Sequence, residues 1–326
     1  MNPASIFVDT FNVTAPVFAM VLLGIVLKRL KWIDNAFINT SSALVFRGAM
    51  PTLLFLSLID ADMSEAVIPE LMIYLALATL VSFLLIWWWA SRRVAMEDRG
   101  VYVQAAFRGN GGILGLALAG SMYGDFGLSA GSMLVATLIP LYNALSVIVL
   151  AWYQPGAATN WRSIVVKIIR NPLILAVIAG LGFAASGLEL PDWLNTSGRY
   201  FANMTLPLAL ISIGGTMSIA AIREASNVAL GASLMKMVWM PLATVTCAWL
   251  MGFEGHELVL LFLFLGSPSA AASFVMAKAM GGNARLAANV VAITTLTSSL
   301  TITLGIFILQ ISGVTDQGAA AGMIAP

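Results

Sequence analysis

Charge is what this sequence has least of. Acidic and basic side chains together make up 10% of its 326 residues, where a soluble domain of this size carries roughly 25%. That shortfall excludes a large water-soluble helical protein and implies that most of the chain never meets water. Cysteine is nearly missing as well: Cys247 alone excludes a disulfide framework, and inside a predicted helix it reads as a small packing residue. The single histidine, His256, stands beside Glu254 and Glu257 in a short loop, too few ligands for a metal site. No Lys-Ser or Lys-Thr follows Gly109-Asn110-Gly111-Gly112 at phosphate-loop spacing. No Ser/His pair or matched carboxylates suggest catalysis, so neither an enzyme, a cofactor nor a nucleic-acid partner is expected.

What is abundant is apolar sequence, 60% of the residues. A bilayer crossing needs about 20 of them in a row. Ten such stretches can be laid out: Phe11–Leu30, Phe37–Ile59, Ile68–Ala90, Val101–Met122, Leu128–Trp152, Asn171–Gly187, Arg199–Ala220, Asn227–Gly252, Glu257–Met280 and Ala284–Ile311. A β-barrel would need short alternating strands, and runs such as Ala76 to Ile86 do not alternate. Met1-Asn2-Pro3-Ala4-Ser5 lacks the basic stretch of a signal peptide, so the first apolar segment is expected to stay as a span. Trp87-Trp88-Trp89 reads as part of an interfacial aromatic belt.

Basic residues gather in alternate loops: Lys28, Arg29 and Lys31; Arg92, Arg93 and Arg99; Arg162, Lys167 and Arg170; Arg223; Lys278 and Arg285. The other loops and both tails hold only Arg199, with acids such as Asp60, Asp62, Glu65, Asp125, Asp192, Glu254 and Glu257. Since cytoplasmic loops carry the Lys/Arg excess, both termini are expected outside the cytoplasm of a multi-pass protein of the cell membrane.

The chain also resembles itself. One constant shift lays Pro16 on Pro172, Gly24 on Gly180, Asn39-Thr40-Ser41 on Asn195-Thr196-Ser197, Pro51 on Pro207 and Gly111-Gly112 on Ser267-Pro268. A shift two residues longer lays Gly124-Asp125 on Gly282-Asn283 and Leu128 on Leu286. With five spans in each half, the second half enters the membrane inverted. The expected organisation is residues 1–152 as a first repeat, 153–169 as a short cytoplasmic connector, 170–312 as the inverted second repeat and 313–326 as an external tail. Inverted repeats are typical of secondary transporters.

Two spans are interrupted at matched positions. In the fourth, Arg108-Gly109-Asn110-Gly111-Gly112 carries three glycines, each costing a helix about 1 kcal/mol relative to alanine. In the ninth, Gly266-Ser267-Pro268-Ser269 adds a proline, which removes a donor and clashes with the preceding turn. Asn110 and Ser267 are placed to cap the second half-helices, with Pro268 at the first helical position. Both half-helix N-termini would then offer free amides and positive dipole ends to an anion. The structural alternative is a pair of packing kinks, Gly111 and Gly115 forming a small-residue contact.

Three cations fall inside spans: Arg47, Arg108 and Lys236. Arg108 either neutralises a substrate carboxylate or compensates the negative end of the first half-helix. Arg47, before Pro51, and Lys236, before Pro241, either snorkel, pair with backbone carbonyls or act directly. No Asp or Glu lies in the middle of a span, so an acidic proton relay has no candidate, which suits an anionic substrate and leaves coupling to proton or sodium open. The tenth span is dense in hydroxyls, including Thr294, Thr295 and Ser298. With Asn289 they can line a path or simply bond their own backbone, and Asn143 with Tyr142 in the fifth span poses the same choice.

Phe107-Arg108-Gly109-Asn110-Gly111-Gly112-Ile113-Leu114-Gly115, Asn171-Pro172-Leu173-Ile174, the segment from Pro207 to Gly214, the segment from Lys236 to Pro241, and Pro268-Ser269-Ala270-Ala271-Ala272-Ser273-Phe274 resemble the auxin efflux carrier family in order and spacing. That family includes the plant PIN-formed auxin exporters and bacterial permeases for malonate and related acids, within the bile acid/auxin transporter superfamily. The resemblance implies an all-α polytopic membrane protein of ten transmembrane helices, a 5+5 inverted repeat with broken, crossing fourth and ninth helices. It implies a scaffold of spans 1, 2, 6 and 7, dimerising with a second copy, and a transport domain of spans 3–5 and 8–10 that moves as an elevator. The crossing would join Asn110 and Pro268. Ala117 departs from the proline many members carry after the fourth-span break, and the connector from Tyr153 to Ile169 is far shorter than the regulatory loop of long plant exporters.

The expected function is a secondary active transporter of a small organic anion, an auxin-like carboxylate or a dicarboxylate. The expected substrate-binding residues are Arg108, Asn110, Gly111, Gly112, Asn143, Ser267, Pro268 and Ser269, with Arg47, Lys236, Asn289 and Thr295 as a second tier. A sodium-coupled bile-acid-type symporter is the alternative, but only Asn110 supplies the amide such ion sites need. An anion channel would differ by passing current without saturation or counterflow.

Overall fold

The computed structural model describes residues 3–60, 68–153, 170, 172–216 and 226–314. Asp62, Glu65, Arg162, Lys167, Arg223, the expected span ends at Asn171 and Ala220, and the tail from residue 315 lie outside them. Among the described residues every regular element is a helix, and the sole extended pairing is an isolated bridge between Gly109 and Ser269.

In chain order the helices are α1 (Pro3–Arg29), α2 (Asn35–Ile59), α3 (Pro69–Arg93), α4 (Met96–Phe107), α5 (Gly111–Tyr153), α6 (Pro172–Ala185), α7 (Asp192–Asn203), α8 (Thr205–Thr216), α9 (Asn227–Leu250), α10 (Gly255–Leu265), α11 (Ala271–Ala279) and α12 (Ala284–Ile311). Five of them, α2, α3, α5, α9 and α12, are long and apolar enough to cross a membrane, while α6 and α10 are shorter apolar helices. The surface is inside-out relative to a soluble protein. On α3, Ile73, Leu77, Leu84 and Leu85 are exposed while Thr79 and Ser82 are buried, as expected when lipid is the solvent and polar groups must find partners within the bundle.

Proline and glycine set the irregularities. Pro51 and Pro241 cannot donate to the carbonyl four residues back, and each is preceded by a π turn, Val45–Ala49 in α2 and Met235–Trp239 in α9. There Met50 and Met240 donate to the carbonyls five residues back, of Val45 and Met235, so the ladder is re-satisfied without a break. Within α5 the chain turns at Gly124, whose φ of 58° and ψ of −135° only glycine adopts without strain. Several expected boundaries shift: the first helix begins at Pro3 rather than Phe11. The fourth span begins at Met96 rather than Val101. The seventh begins at Asp192 rather than Arg199 and is interrupted at Met204, because its first turns are polar yet still helical, packed on α2 through Gly198 and Leu56.

Helix α1 runs against α8 so closely that a Cβ on Gly24 would overlap the Ile211 carbonyl, and one on Gly214 the Val21 carbonyl. Helix α6 lies on the second half of α2 in the same way, a Cβ on Gly180 standing 3.2 Å from both Leu58 Cβ and the Phe55 carbonyl oxygen. A second group of helices is tied by polar links. Tyr74 of α3 donates to the Thr244 carbonyl of α9, Trp87 Nε1 donates to Tyr153 Oη at 2.8 Å, and Asn283 Nδ2 donates to Asp98 Oδ1 at 2.8 Å. Of the three tryptophans expected in an aromatic belt, Trp88 alone is exposed, beneath the Arg92 guanidinium. Trp87 packs on Phe83, and Trp89 stacks on Tyr102.

Candidate functional site

The two breaks meet. Helix α4 ends at Phe107 and α10 at Leu265, and the segments that follow run antiparallel past each other with Gly109 opposite Ser269. The Asn110 N–H donates to the Pro268 carbonyl at 2.7 Å, and the Ala270 N–H donates to the Arg108 carbonyl at 3.2 Å. Backbone groups freed by each break are thus satisfied by the other, which is what allows non-helical chain to persist at the middle of an apolar bundle.

The caps differ from expectation. Asn110 starts α5 through its carbonyl, which accepts from the N–H groups of Ile113, Leu114 and Gly115 at 3.3, 2.9 and 3.4 Å, and its side chain makes no cap. Ser267 is not a cap either: its Oγ donates back to the Leu263 carbonyl at 2.6 Å, and α11 begins only at Ala271, with Ala270 as its uncapped N-cap. Pro268 is accordingly not a first helical residue. Neither side chain caps: the Asn110 carbonyl closes the first turn of α5 and Ser267 bonds back onto α10, while the crossing partner takes the N–H groups of Asn110 and Ala270.

On one side of the crossing lies a cavity of about 600 Å³. Its walls include Arg108, Asn110, Gly112, Tyr142 and Asn143, the starts of α5 and α11 at Ile113 and at Ala271 and Ala272, and, opposite them, Arg47 of α2. The first turns of two half-helices therefore border one space, each bringing the positive end of its dipole.

Arg108 dominates its chemistry. The residue is 8% exposed. Its Nη2 donates to Asn143 Oδ1 at 2.9 Å, and its Nη1 donates to Ser146 Oγ at 3.1 Å and to the Tyr142 carbonyl at 3.4 Å, beside Met276 Sδ at 3.1 Å. Its Nε is buried without a partner. Among the described residues no carboxylate pairs with it, the ion pair present being Arg199 with Asp60 at 2.7 Å, far from this wall in the fold and exposed. A guanidinium held out of water with only neutral acceptors is costly, and the cost is relieved by an anion. The Asn110 side chain is also buried at the cavity wall and makes no cap to α5.

Other expected site residues face elsewhere. Gly111 packs on Phe264 and Leu138. Ser267, Pro268 and Ser269 stand at the crossing but not on the cavity wall. The Ser269 N–H donates to Thr294 Oγ1 at 3.1 Å, and Pro268 contributes only its carbonyl. Lys236 is fully buried behind the crossing, its Nζ donating to the Leu265 carbonyl at 2.7 Å. Asn289 and Thr295 are buried in α12 and absent from the cavity wall. The hydroxyls of Thr294, Thr297 and Ser298 donate to carbonyls three or four residues back, so in this span backbone bonding outweighs path lining.

Sequence reasoning missed the opposite wall. Ser42, Phe46 and Met50 of α2 and Ala209, Ser212 and Thr216 of α8 line it, and Ser212 Oγ bonds Ser41 Oγ at 2.8 Å. The signal was present as spacing: Ala209, Ser212, Ile213 and Thr216 lie on one helical face, with small and polar groups where lipid contact would favour larger apolar ones.

The family model described as "Membrane transport protein" matches residues 10–160 and 158–306. An uncharacterized transporter of Methanothermobacter thermautotrophicus is 26% identical over 279 residues, covering 83% of this chain and 89% of that protein. An uncharacterized transporter of Methanocaldococcus jannaschii is 24% identical over 309 residues, covering 91% of this chain and 98% of that protein.

Proposed function

Because the chain belongs to the membrane transport protein family, we propose that it is a secondary active carrier of a small organic anion, bound by its carboxylate at the cavity beside the crossing. The observation that carries this reading is Arg108, a buried guanidinium on the cavity wall with no carboxylate partner among the described residues. An arriving carboxylate would meet it together with the Asn110 amide and the N-terminal turns of α5 and α11. The rest of the wall is largely apolar, from Met50, Ile113, Leu138, Ile139, Leu173 and Ile213, and suits a carbon skeleton. An auxin-like acid fills such a space with its ring, while a dicarboxylate would place its second charge toward Arg47.

In this reading the molecule has ten spans. α4 with the start of α5, α7 with α8, and α10 with α11 each count as one, and α5 beyond Gly124 counts as another. The halves are inverted repeats. Support comes from contacts related by the shift that lays Gly24 on Gly180: it carries Phe55 onto Ile211 and Leu58 onto Gly214, the residues against which those two glycines pack. Helices α1, α2, α6, α7 and α8 form a scaffold, through which a second copy would pair, and the others form a transport domain bearing the crossing. The cavity lies between the two. Its lining segments are those nearest the basic loops, such as Leu173 after Arg170 and Met276 before Lys278. With basic loops cytoplasmic and both termini outside, the cavity opens to the cytoplasm, an inward-facing state.

Reconstitution into liposomes with a panel of labelled mono- and dicarboxylates tests the carrier. Saturable flux with counterflow by unlabelled acid is expected. Anion current that neither saturates nor shows counterflow would replace the carrier with a channel, and an inert response to the whole panel would remove the organic-anion assignment.

A further inference from the structure

Lys236 is the second cation buried at the crossing, and the carrier mechanism as stated gives it nothing to do. It sits in the π turn of α9, is 0% exposed and does not line the cavity. Its Nζ donates to the Leu265 carbonyl at 2.7 Å, with Met240 Sδ at 3.8 Å. A Cβ placed on Gly109 would stand 3.0 Å from that ammonium, 3.2 Å from the Phe264 carbonyl oxygen and 3.4 Å from the Ser267 carbonyl oxygen. The Leu265 carbonyl is the oxygen that the ammonium contacts, and the Phe264 and Ser267 carbonyl oxygens border the same space beside the bare Gly109. Among the described residues no carboxylate reaches Lys236.

An ammonium this deep is costly unless dipoles compensate it. The Leu265 carbonyl does so directly, being orphaned by the break at the end of α10, where the helix dipole is negative. The same ligand type, C-terminal carbonyls and unwound chain at a broken helix, is what transporters use to hold a coupling alkali cation. Here it is already engaged by a charge that cannot diffuse away. We propose that the Lys236 ammonium is the tethered resident cation of this carbonyl cluster, so that the crossing takes up no free alkali cation. The inference depends on the carrier reading only for its consequence that transport is independent of sodium; occupancy of the cluster is a property of the folded chain.

The experiment measures thermal midpoints of the purified full chain in lipid nanodiscs, with sodium chloride against N-methylglucamine chloride at equal ionic strength, and sodium-22 binding to the same samples. The wild-type midpoint is expected to be the same in both salts, with no saturable sodium binding. Lys236→Ala is expected to have a lower midpoint in N-methylglucamine and to regain much of the loss in sodium, rising with the logarithm of concentration as for a ligand that binds only the folded state. Saturable sodium binding to the wild type overturns the proposal, and so does a folded Lys236→Ala chain indifferent to sodium, lithium and potassium. If Lys236→Ala does not fold, the wild-type sodium measurement still decides. Failure of the carrier reading looks different: no acid of the panel moves, while these cation results stand.

Discussion

The two breaks are alike as backbone and unlike as chemistry. Each interrupts a span at the same place in its half, each runs extended for a few residues, and each hands one N–H to the other's carbonyl. Yet the fourth-span break sends Arg108 and Asn110 to the cavity wall, whereas the polar groups of the ninth-span break turn away, Ser267 onto Leu263 and Ser269 toward Thr294. The ninth span contributes to the site only Ala270, the first turn of α11 and the Met276 side chain. Under the proposed repeat, symmetry sets where a site can be, and the sequence differences between the halves set its chemistry. Of the two breaks, only the fourth-span one places a cation, Arg108, on the cavity wall, and Arg47 reaches the same wall from α2.

The sharpest way to break this comparison is Arg108→Ala. Truncating one member of a buried charge pair costs about 2–5 kcal/mol, so substrate binding measured from the concentration dependence of liposome flux should weaken roughly 30-fold or more. Arg108→Lys should recover only part, since an ammonium cannot keep the fork on Asn143 and Ser146 while meeting a carboxylate. Asn110→Ala comes next. It removes one neutral side-chain contact and leaves the N–H that bonds Pro268, so binding should fall by about 5- to 10-fold with the thermal midpoint little changed.

Changes on the other break should be milder for binding. Pro268→Ala keeps the carbonyl that accepts from Asn110 but frees φ, at about 0.4–1 kcal/mol. A lower thermal midpoint and slower flux are expected, with substrate affinity changed by less than about 3-fold. Ser267→Ala removes a bond to its own helix, and both binding and midpoint should stay near wild type, the net worth of such a bond being about 1 kcal/mol at most. A binding loss from Ser267→Ala equal to that from Asn110→Ala would end the asymmetry.

How much of this could be read from the chain depends on distance along it. Apolar length, glycine clusters and proline are local, and they located the long spans and both breaks. Partners across the fold are not local. Asn110 and Ser267 have the composition of caps, and nothing in their neighbours shows that the crossing chain takes the N–H groups of Asn110 and Ala270 while neither side chain caps. The start of the seventh span was misplaced because Asp192 to Asn203 is polar, although helical. The α2 and α8 wall escaped notice because Ser42, Met50 and Ser212 are ordinary members of membrane helices until a cavity is seen beside them. Lys236 was visible as a misplaced charge, but the carbonyl that holds it, Leu265, belongs to another helix.

The bridge between Gly109 and Ser269 has an electrical consequence. Tied by backbone hydrogen bonds, the two broken spans travel together, and in an elevator they take Arg108 and the buried Lys236 with them. Loaded with a monoanion, the moving part bears one positive charge less than it does empty. Each elementary charge carried through the full field is worth about 2.3 kcal/mol per 100 mV. In such an elevator a membrane potential negative inside would hold the empty carrier at the cytoplasmic face more firmly than the loaded one, the face toward which the cavity opens under the proposed orientation.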